Sequence, residues 1–213
     1  MILVLTGAPG AGKGTQADLI AERMGFRKIS TGDALRNQIK LGTPIGKQAA
    51  EFMNHGRLVP DDTLFGVLKQ ELGQNTKEKI LLDGYPRNVE QAKALDTLAE
   101  VHPVKGAVQL DVPKEDIVGR ISGRRVCGTC GATFHIHASP PKKEDVCDKC
   151  QAALICRPDD QPDKVLVRLQ VYDQSTRPVL DYYKAKGLCW AVNGVGETEA
   201  IYRELKKVID RIV

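Results

Sequence analysis

The chain has 213 residues, enough for one substantial core with small inserted modules. Hydrophobic residues make up 42% and charged residues 27%, the balance of a soluble globular protein, and no apolar run reaches membrane-spanning length. The net charge of +4 is too small to argue for a nucleic-acid partner, and the N-terminus lacks the basic-then-apolar pattern of a secretion signal, so a cytoplasmic location is expected.

Ile2–Leu5 reads as a short apolar strand, followed by the glycine-rich turn Gly7-Ala8-Pro9-Gly10-Ala11-Gly12-Lys13-Gly14-Thr15. An amphipathic helix comes next, with Ala17, Ile20, Ala21 and Met24 at helical spacing and Gly25 at the C′ position. A strand, a loop without bulky side chains and a helix start together form a phosphate site. Backbone N–H groups can approach the oxygens there, and the helix N-terminus adds partial positive charge. Lys13 is placed to reach the outer phosphates and Thr15 to lie near Mg²⁺. Gly14 stands where Ser or Thr usually follows the lysine, so the hydroxyl is displaced by one position.

Arg27–Ile29, Lys79–Leu82, Gly106–Leu110 and Leu188–Val192 are the further strand candidates, alternating with helical stretches. The last helix carries Ile201, Leu205, Val208, Ile209 and Ile212 on one face. This rhythm predicts an α/β fold, a phosphate-loop protein with a five-stranded parallel sheet flanked by helices. Ligands in such sheets bind at the carboxyl ends of the strands. Periodicity does not give the strand order.

Two stretches break the alternation. Thr31 to Val59 is helix-like but rich in glycine, with a turn at Gly42-Thr43-Pro44, and Pro60 before Asp61-Asp62 suggests a new helix start. Val126 to Pro162 has little helical period and holds five of the six cysteines. Within it Cys127-Gly-Thr-Cys130 and Cys147-Asp-Lys-Cys150 are two C-x₂-C pairs separated by sixteen residues, a spacing that suits a structural Zn²⁺ on four thiolates. Two disulfides or four idle thiols are the alternatives, and iron also accepts four sulfurs. His135 and His137 are expected to be polar residues of a hairpin, Cys156 to have no ligand partner and Cys189 to lie in the core.

Ile80-Leu81-Leu82-Asp83 is an apolar strand ending in a carboxylate, the usual place for an acid that orients hydrated Mg²⁺. Arg87 follows just beyond it. Arg36 and Arg57 lie in the first irregular segment, while Arg120, Arg124, Arg157 and Arg168 bracket the cysteine module. Planar forked donors suit a transferring phosphoryl group, and two arginine-bearing flanks could close over it and exclude water.

At this point the chain resembles the adenylate kinases of the long-lid, zinc-containing type. The resemblance rests on Gly7 to Gln16, on Ser30-Thr31-Gly32-Asp33, and on Asp83-Gly84-Tyr85-Pro86-Arg87 with Gln91. It extends to Gly123-Arg124-Arg125 and to Arg157 followed by Asp159-Asp160, all in family order along almost the whole chain. It implies reversible phosphoryl transfer from MgATP to AMP, giving two ADP. Gly10, Ala11, Gly12, Lys13, Gly14 and Thr15 would hold the ATP phosphates, with Arg120 and Arg124. Thr133 and Phe134 would lie near its base or ribose, and backbone near Gly196 would meet the adenine. Thr31, Arg36, Arg57, Leu58, Val59, Gly84, Tyr85, Pro86, Arg87 and Gln91 would bind AMP, Gln91 reading the adenine edge, and Arg157 and Arg168 would bridge the two nucleotides. Lys13, Arg87, Arg124, Arg157 and Arg168 would carry catalysis.

The implied division is a core of residues 1–29, 60–122 and 161–213, an AMP-binding domain of residues 30–59, and a zinc-containing ATP lid of residues 123–160. The resemblance fits a monomer that acts on free nucleotides, with no nucleic acid and no membrane as partner. Tyr85 replaces the commoner Phe, and Pro158 stands where a polar residue is more usual. Two other readings compete: a kinase for UMP, CMP or GMP on the same fold, and a phosphate-loop ATPase carrying a nucleic-acid-binding zinc ribbon. An aromatic content of only 5% and the absence of a base-stacking signature weigh against the ribbon.

Overall fold

Strand β1 (Ile2–Gly7) is buried along its whole length, which explains why it is apolar at nearly every position rather than alternating. It is the middle strand of a parallel sheet with the order β2 (Arg27–Ser30), β3 (Ile80–Asp83), β1, β4 (Val104–Asp111), β8 (Cys189–Asn193). All four neighbouring pairs are parallel, with Leu5 level with Asp83 on one side and with Val108 on the other. The computed structural model describes residues 1–73 and 78–213. The five strand candidates match these five strands to within a few residues.

Successive β1 side chains point to opposite faces and divide the interior into two halves. Leu3 and Leu5 join Leu81, Val108 and Leu110 beneath helices α1 (Lys13–Met24), α6 (Lys114–Ser122) and α9 (Thr198–Ile209), through Ile20, Ile117, Ile121, Leu205 and Ile209. Ile2 and Val4 join Ile80, Leu82 and Ala107 against α4 (Asp61–Leu72), α5 (Val89–Asp96) and α8 (Arg177–Ala185), through Leu64, Leu68, Leu95, Val179 and Tyr183. Helix α1 ends at Gly25, as its spacing predicts. Ile212 lies beyond the end of α9 but still packs on the first half. Cys189 differs from expectation: β8 is an edge strand paired only with β4, so the cysteine is half-buried at the margin of the second half.

The segment from Thr31 forms two helices, α2 (Thr31–Lys40) and α3 (Pro44–Met53). Ser30 and Thr43 cap them by accepting the N–H groups of Asp33 and Gly46, and Pro44 sits in the first turn of α3. A Cβ on Gly46 would stand 2.1 Å from the Gln38 carbonyl oxygen, so only glycine lets α3 approach α2 this closely. Pro60 precedes α4, whose first turn holds Asp61 and Asp62.

The cysteine module is a small antiparallel sheet of order β6 (Thr133–His135), β5 (Arg124–Cys127), β7 (Leu154–Ile155). It returns through a 3₁₀ turn at Pro158–Asp160 into α7 (Pro162–Val171). Helix α7 runs into α8 through a π-helical turn at Tyr172–Thr176, which no sequence period announces. Among the described residues no helix is long and apolar enough to cross a membrane.

Candidate active site

The loop between β1 and α1 is built on main-chain curvature. Gly10 has a φ of 81°, and a Cβ there would stand 2.6 Å from Ile121 Cγ1, so the turn lies flat on α6. Gly12 caps α1 without a side chain, leaving the first N–H groups of the helix open to an anion. The Lys13 ammonium folds back and donates to the carbonyl oxygens of Gly7 and Ala8 at 2.8 and 2.9 Å. Burial pushes Lys13 down to about 8; Asp83 pulls it up, and Arg87, Arg168 and Arg124 push it further down. Asp83 is buried at the end of β3, its Oδ2 3.8 Å from where a Cβ on Gly14 would lie. Thr15 is exposed at the same helix start.

Three arginines, one in the loop after β3 and two on separate elements, act on Lys13, and each is held differently. Arg87 donates from Nε to the Gly84 carbonyl at 2.7 Å, and its own carbonyl accepts the Thr176 hydroxyl at 2.8 Å. Burial pushes Arg87 down to about 10, helped by the charges of Arg168 and Arg36. Arg168, on α7, is lowered by burial and donates to Asp160 Oδ1 at 2.9 Å. Arg124, on β5, donates from Nε to Asp160 Oδ2 at 2.8 Å and from Nη2 to Oδ1. Burial would lower Arg124, but the Asp160 hydrogen bond and charge outweigh it. Arg157 is pushed down to about 10 by burial and by Arg36 and Arg124, and its Nε is buried with no partner among the described residues. Cations that lower one another's proton affinity mark a field that a polyanion would relieve.

Beside this cluster lies an open cleft lined by Thr31, Gly32, Leu35, Met53, Arg57, Leu58, Val59, Leu64, Arg87 and Gln91. Thr31 on α2, Gln91 on α5 and the loop residues Arg57, Leu58, Val59 and Arg87 are those that sequence analysis assigned to the monophosphate; Gly32, Leu35, Met53 and Leu64 are added by the structure. Thr31 donates to the Gly84 carbonyl at 3.0 Å, and Arg36 donates to Asp33 at 2.6 Å. Tyr85 is buried, donates to the Gln91 carbonyl at 3.1 Å and precedes Pro86 through a cis peptide bond. Arg57 is exposed at the rim.

In the cysteine module the four Sγ atoms of Cys127, Cys130, Cys147 and Cys150 lie within 4.8 Å of one another. All six cysteines of the chain are free, so the disulfide alternative is not the arrangement present. The Cys130 N–H donates to the Cys127 sulfur at 3.5 Å and pushes that thiol down to about 6. Four converging sulfurs with buried Cys127 and Cys147 fit a tetrahedral cation. The histidines stay outside: His135 Nδ1 accepts the N–H groups of His137 and Ala138, which tightens the hairpin. Phe134 packs on the Cys127–Cys147–Leu154 cluster, while Thr133 is exposed. Arg120 is half-buried in the last turn of α6. Gly196 is exposed in the loop after β8; its neighbour Gly194 would bring a Cβ within 3.6 Å of the Ala11 carbonyl oxygen, so that loop lies against the phosphate turn.

Sequence reasoning did not assign roles to Asp160, Asp61 or Thr176. Asp160 stood in the recognised motif with Arg157, and its service to two arginines requires the fold. Asp61 carried only the signal of an acidic first helical turn, and Thr176 carried none.

The family model described as Adenylate kinase matches residues 5–188. The adenylate kinase of Thermodesulfovibrio yellowstonii is 45% identical over 214 residues, covering 99% of this chain and 100% of that protein. The adenylate kinase of Archaeoglobus fulgidus is 43% identical over 215 residues, with 100% and 99% covered, and that of Clostridium tetani is 44% identical over 215 residues, with both chains covered fully.

Proposed function

Since the chain belongs to the adenylate kinase family, we propose how its residues divide the work of that reaction. The protein is a phosphotransferase that moves a phosphoryl group reversibly from MgATP to AMP, giving two ADP. Residues 1–29, 60–122 and 161–213 form the core in this reading, residues 30–59 hold AMP, and residues 123–160 form the ATP lid.

The AMP phosphate has a second pKa near ~6, so it reaches the site largely dianionic and needs no general base. The reaction then depends on positioning and charge neutralisation. Gly10 to Thr15 cradle the ATP phosphates, and Lys13 exchanges the Gly7 and Ala8 carbonyls for phosphate oxygens. Arg120 and Arg124 attach the lid to ATP, with Thr133 and Phe134 beside its base or ribose and backbone at Gly196 against the adenine. Thr31, Arg36, Arg57, Leu58, Val59, Gly84, Tyr85, Pro86 and Gln91 form the AMP cleft. Arg87 joins that cleft on AMP, Arg157 and Arg168 bridge the two nucleotides, and the three would spread their donors over the oxygens of the group in transit.

Asp83 and Thr15 would hold the hydrated Mg²⁺ that ATP carries, an ion that offsets charge on the phosphates. Cys127, Cys130, Cys147 and Cys150 would hold a structural Zn²⁺ that supplies folding energy to a module whose own core is small. In this reading the protein is a monomer acting on free nucleotides, without nucleic acid or membrane, and a cytoplasmic location accords with cysteines that form no disulfide.

The observation that carries this reading is the Lys13 ammonium at the start of α1, held on the Gly7 and Ala8 carbonyls in the field of Arg87, Arg124 and Arg168. A coupled assay for ADP formed from ATP plus AMP tests it. Turnover that requires both nucleotides is expected; none with folded protein would overturn it.

A further inference from the structure

Gln91 is only 1% exposed, and both ends of its side-chain amide are engaged. Its Oε1 accepts the Arg87 N–H at 2.7 Å, and its Nε2 donates to Asp61 Oδ1 at 2.7 Å. Asn88 braces the carboxylate, donating from Nδ2 to the two Asp61 oxygens at 3.1 and 3.0 Å, while its own Oδ1 accepts the Gln91 N–H at 2.7 Å. A backbone N–H can only donate, and a carboxylate only accepts. These two partners therefore permit one orientation of the amide. Turned by half a revolution, Nε2 would face an N–H and Oε1 a carboxylate, and both bonds would become repulsions.

We propose that Asp61 is a specificity-determining positioning residue, which locks the Gln91 amide so that the cleft accepts a 6-aminopurine monophosphate and rejects a 6-oxopurine one. The proposal rests on the reading that Gln91 faces the AMP base. After its two internal bonds the amide retains one lone pair on Oε1 and one N–H on Nε2. A 6-aminopurine offers an amino donor beside a ring-nitrogen acceptor. A 6-oxopurine offers the same two positions with the roles exchanged, a carbonyl acceptor beside a ring N–H. An amide free to turn pairs with either base. A locked amide pairs with one and leaves its polar groups unpaired against the other.

Helix position alone gives Asp61 a blander role, as an acid in the first turn of α4 that favours the helix dipole. Asp62 shares that position, is exposed and touches neither Gln91 nor Asn88 in the hydrogen bonds of the described residues, so it serves as the control.

The test compares kcat/KM for AMP and for inosine monophosphate, which carries the 6-oxo group without a 2-amino group. Asp61→Asn can present an N–H to a turned amide. It is expected to lower the AMP-to-IMP ratio about tenfold, through a raised KM for AMP and a lowered KM for IMP with kcat for AMP little changed. Asp62→Asn should leave the ratio at the unmodified value. Asp61→Ser, whose hydroxyl both donates and accepts, replaces Asp61→Asn if that variant does not fold. Gln91→Ala separates the two claims. If it abolishes discrimination while the Asp61 variants retain it, Asp61 is not the lock. If it leaves discrimination intact, Gln91 does not read the base, and the reading beneath the proposal fails.

Discussion

Arg124 on strand β5 and Arg168 on helix α7 share one carboxylate. Asp160, whose side chain has no exposed surface, accepts Arg124 Nε at 2.8 Å and Arg168 Nη1 at 2.9 Å. Two guanidinium groups assigned to phosphate oxygens are thereby held in place before a nucleotide arrives.

Asp160→Asn should destabilise the protein by about 2–3 kcal/mol at neutral pH, because two largely buried cations lose their shared anion. Burial would raise the Asp160 carboxyl, but its hydrogen bond and ion pair with Arg124 hold it below the usual carboxylate range. A depressed folded pKa gives stability that is present above the unfolded value of about 3.9 and lost as pH falls through the lower folded value. Thermal melts should thus show the difference between the two proteins constant from pH 6 to 8 and shrinking below about pH 4. A difference that persists undiminished in acid would contradict the assignment.

Lys13→Met should reduce kcat by a factor of at least about a hundred while the melting temperature changes little, since the side chain removed acts on phosphate charge. Steady-state rates and a melt on the same preparation check this. Near-normal kcat would remove Lys13 from the reaction.

Proton linkage offers a second view of Lys13. Burial pushes it down to about 8, so near that pH a large share of the free protein carries it neutral. Polyphosphate beside the ammonium favours the charged form, and ATP binding at pH 8 should take up protons. Calorimetry in two buffers of different ionisation heat measures the uptake, which should vanish in Lys13→Met. Equal apparent heats in both buffers for the unmodified protein would refute the linkage.

Cys150→Ser removes one of the four converging sulfurs and should lower both zinc content and melting temperature. Chelator treatment of the unmodified protein should produce a similar shift, reversed when zinc is restored. An unchanged melt after complete stripping would exclude a structural role for the metal.

The strands were legible because most are short apolar runs bounded by turn residues, β2 with Arg27 and Lys28 being the exception, while Gly25 and Pro60 marked helix ends and Gly42-Thr43-Pro44 a turn by local chemistry alone. The order β2-β3-β1-β4-β8 was not, since it depends on pairings between distant segments. The site residues stood out where chemistry is local, as with Lys13 after its glycines or Asp83 at the end of an apolar strand. Asp61 and Gln91 are thirty residues apart, so their bond emerges only when α4 and α5 meet. Cys189 was placed too deep because an apolar run does not reveal that its strand lies at a sheet edge.

The π-helical turn at Tyr172–Thr176 joins two contacts that are otherwise remote. Arg168 stands just before it on α7, and Thr176 at its end holds the main chain of Arg87. One continuous helical stretch thus meets Asp160 through Arg168 at one point and the Arg87 main chain through Thr176 at another. A tilt of that stretch would carry the Arg168 side chain and the Arg87 main chain together, because both are fastened to it.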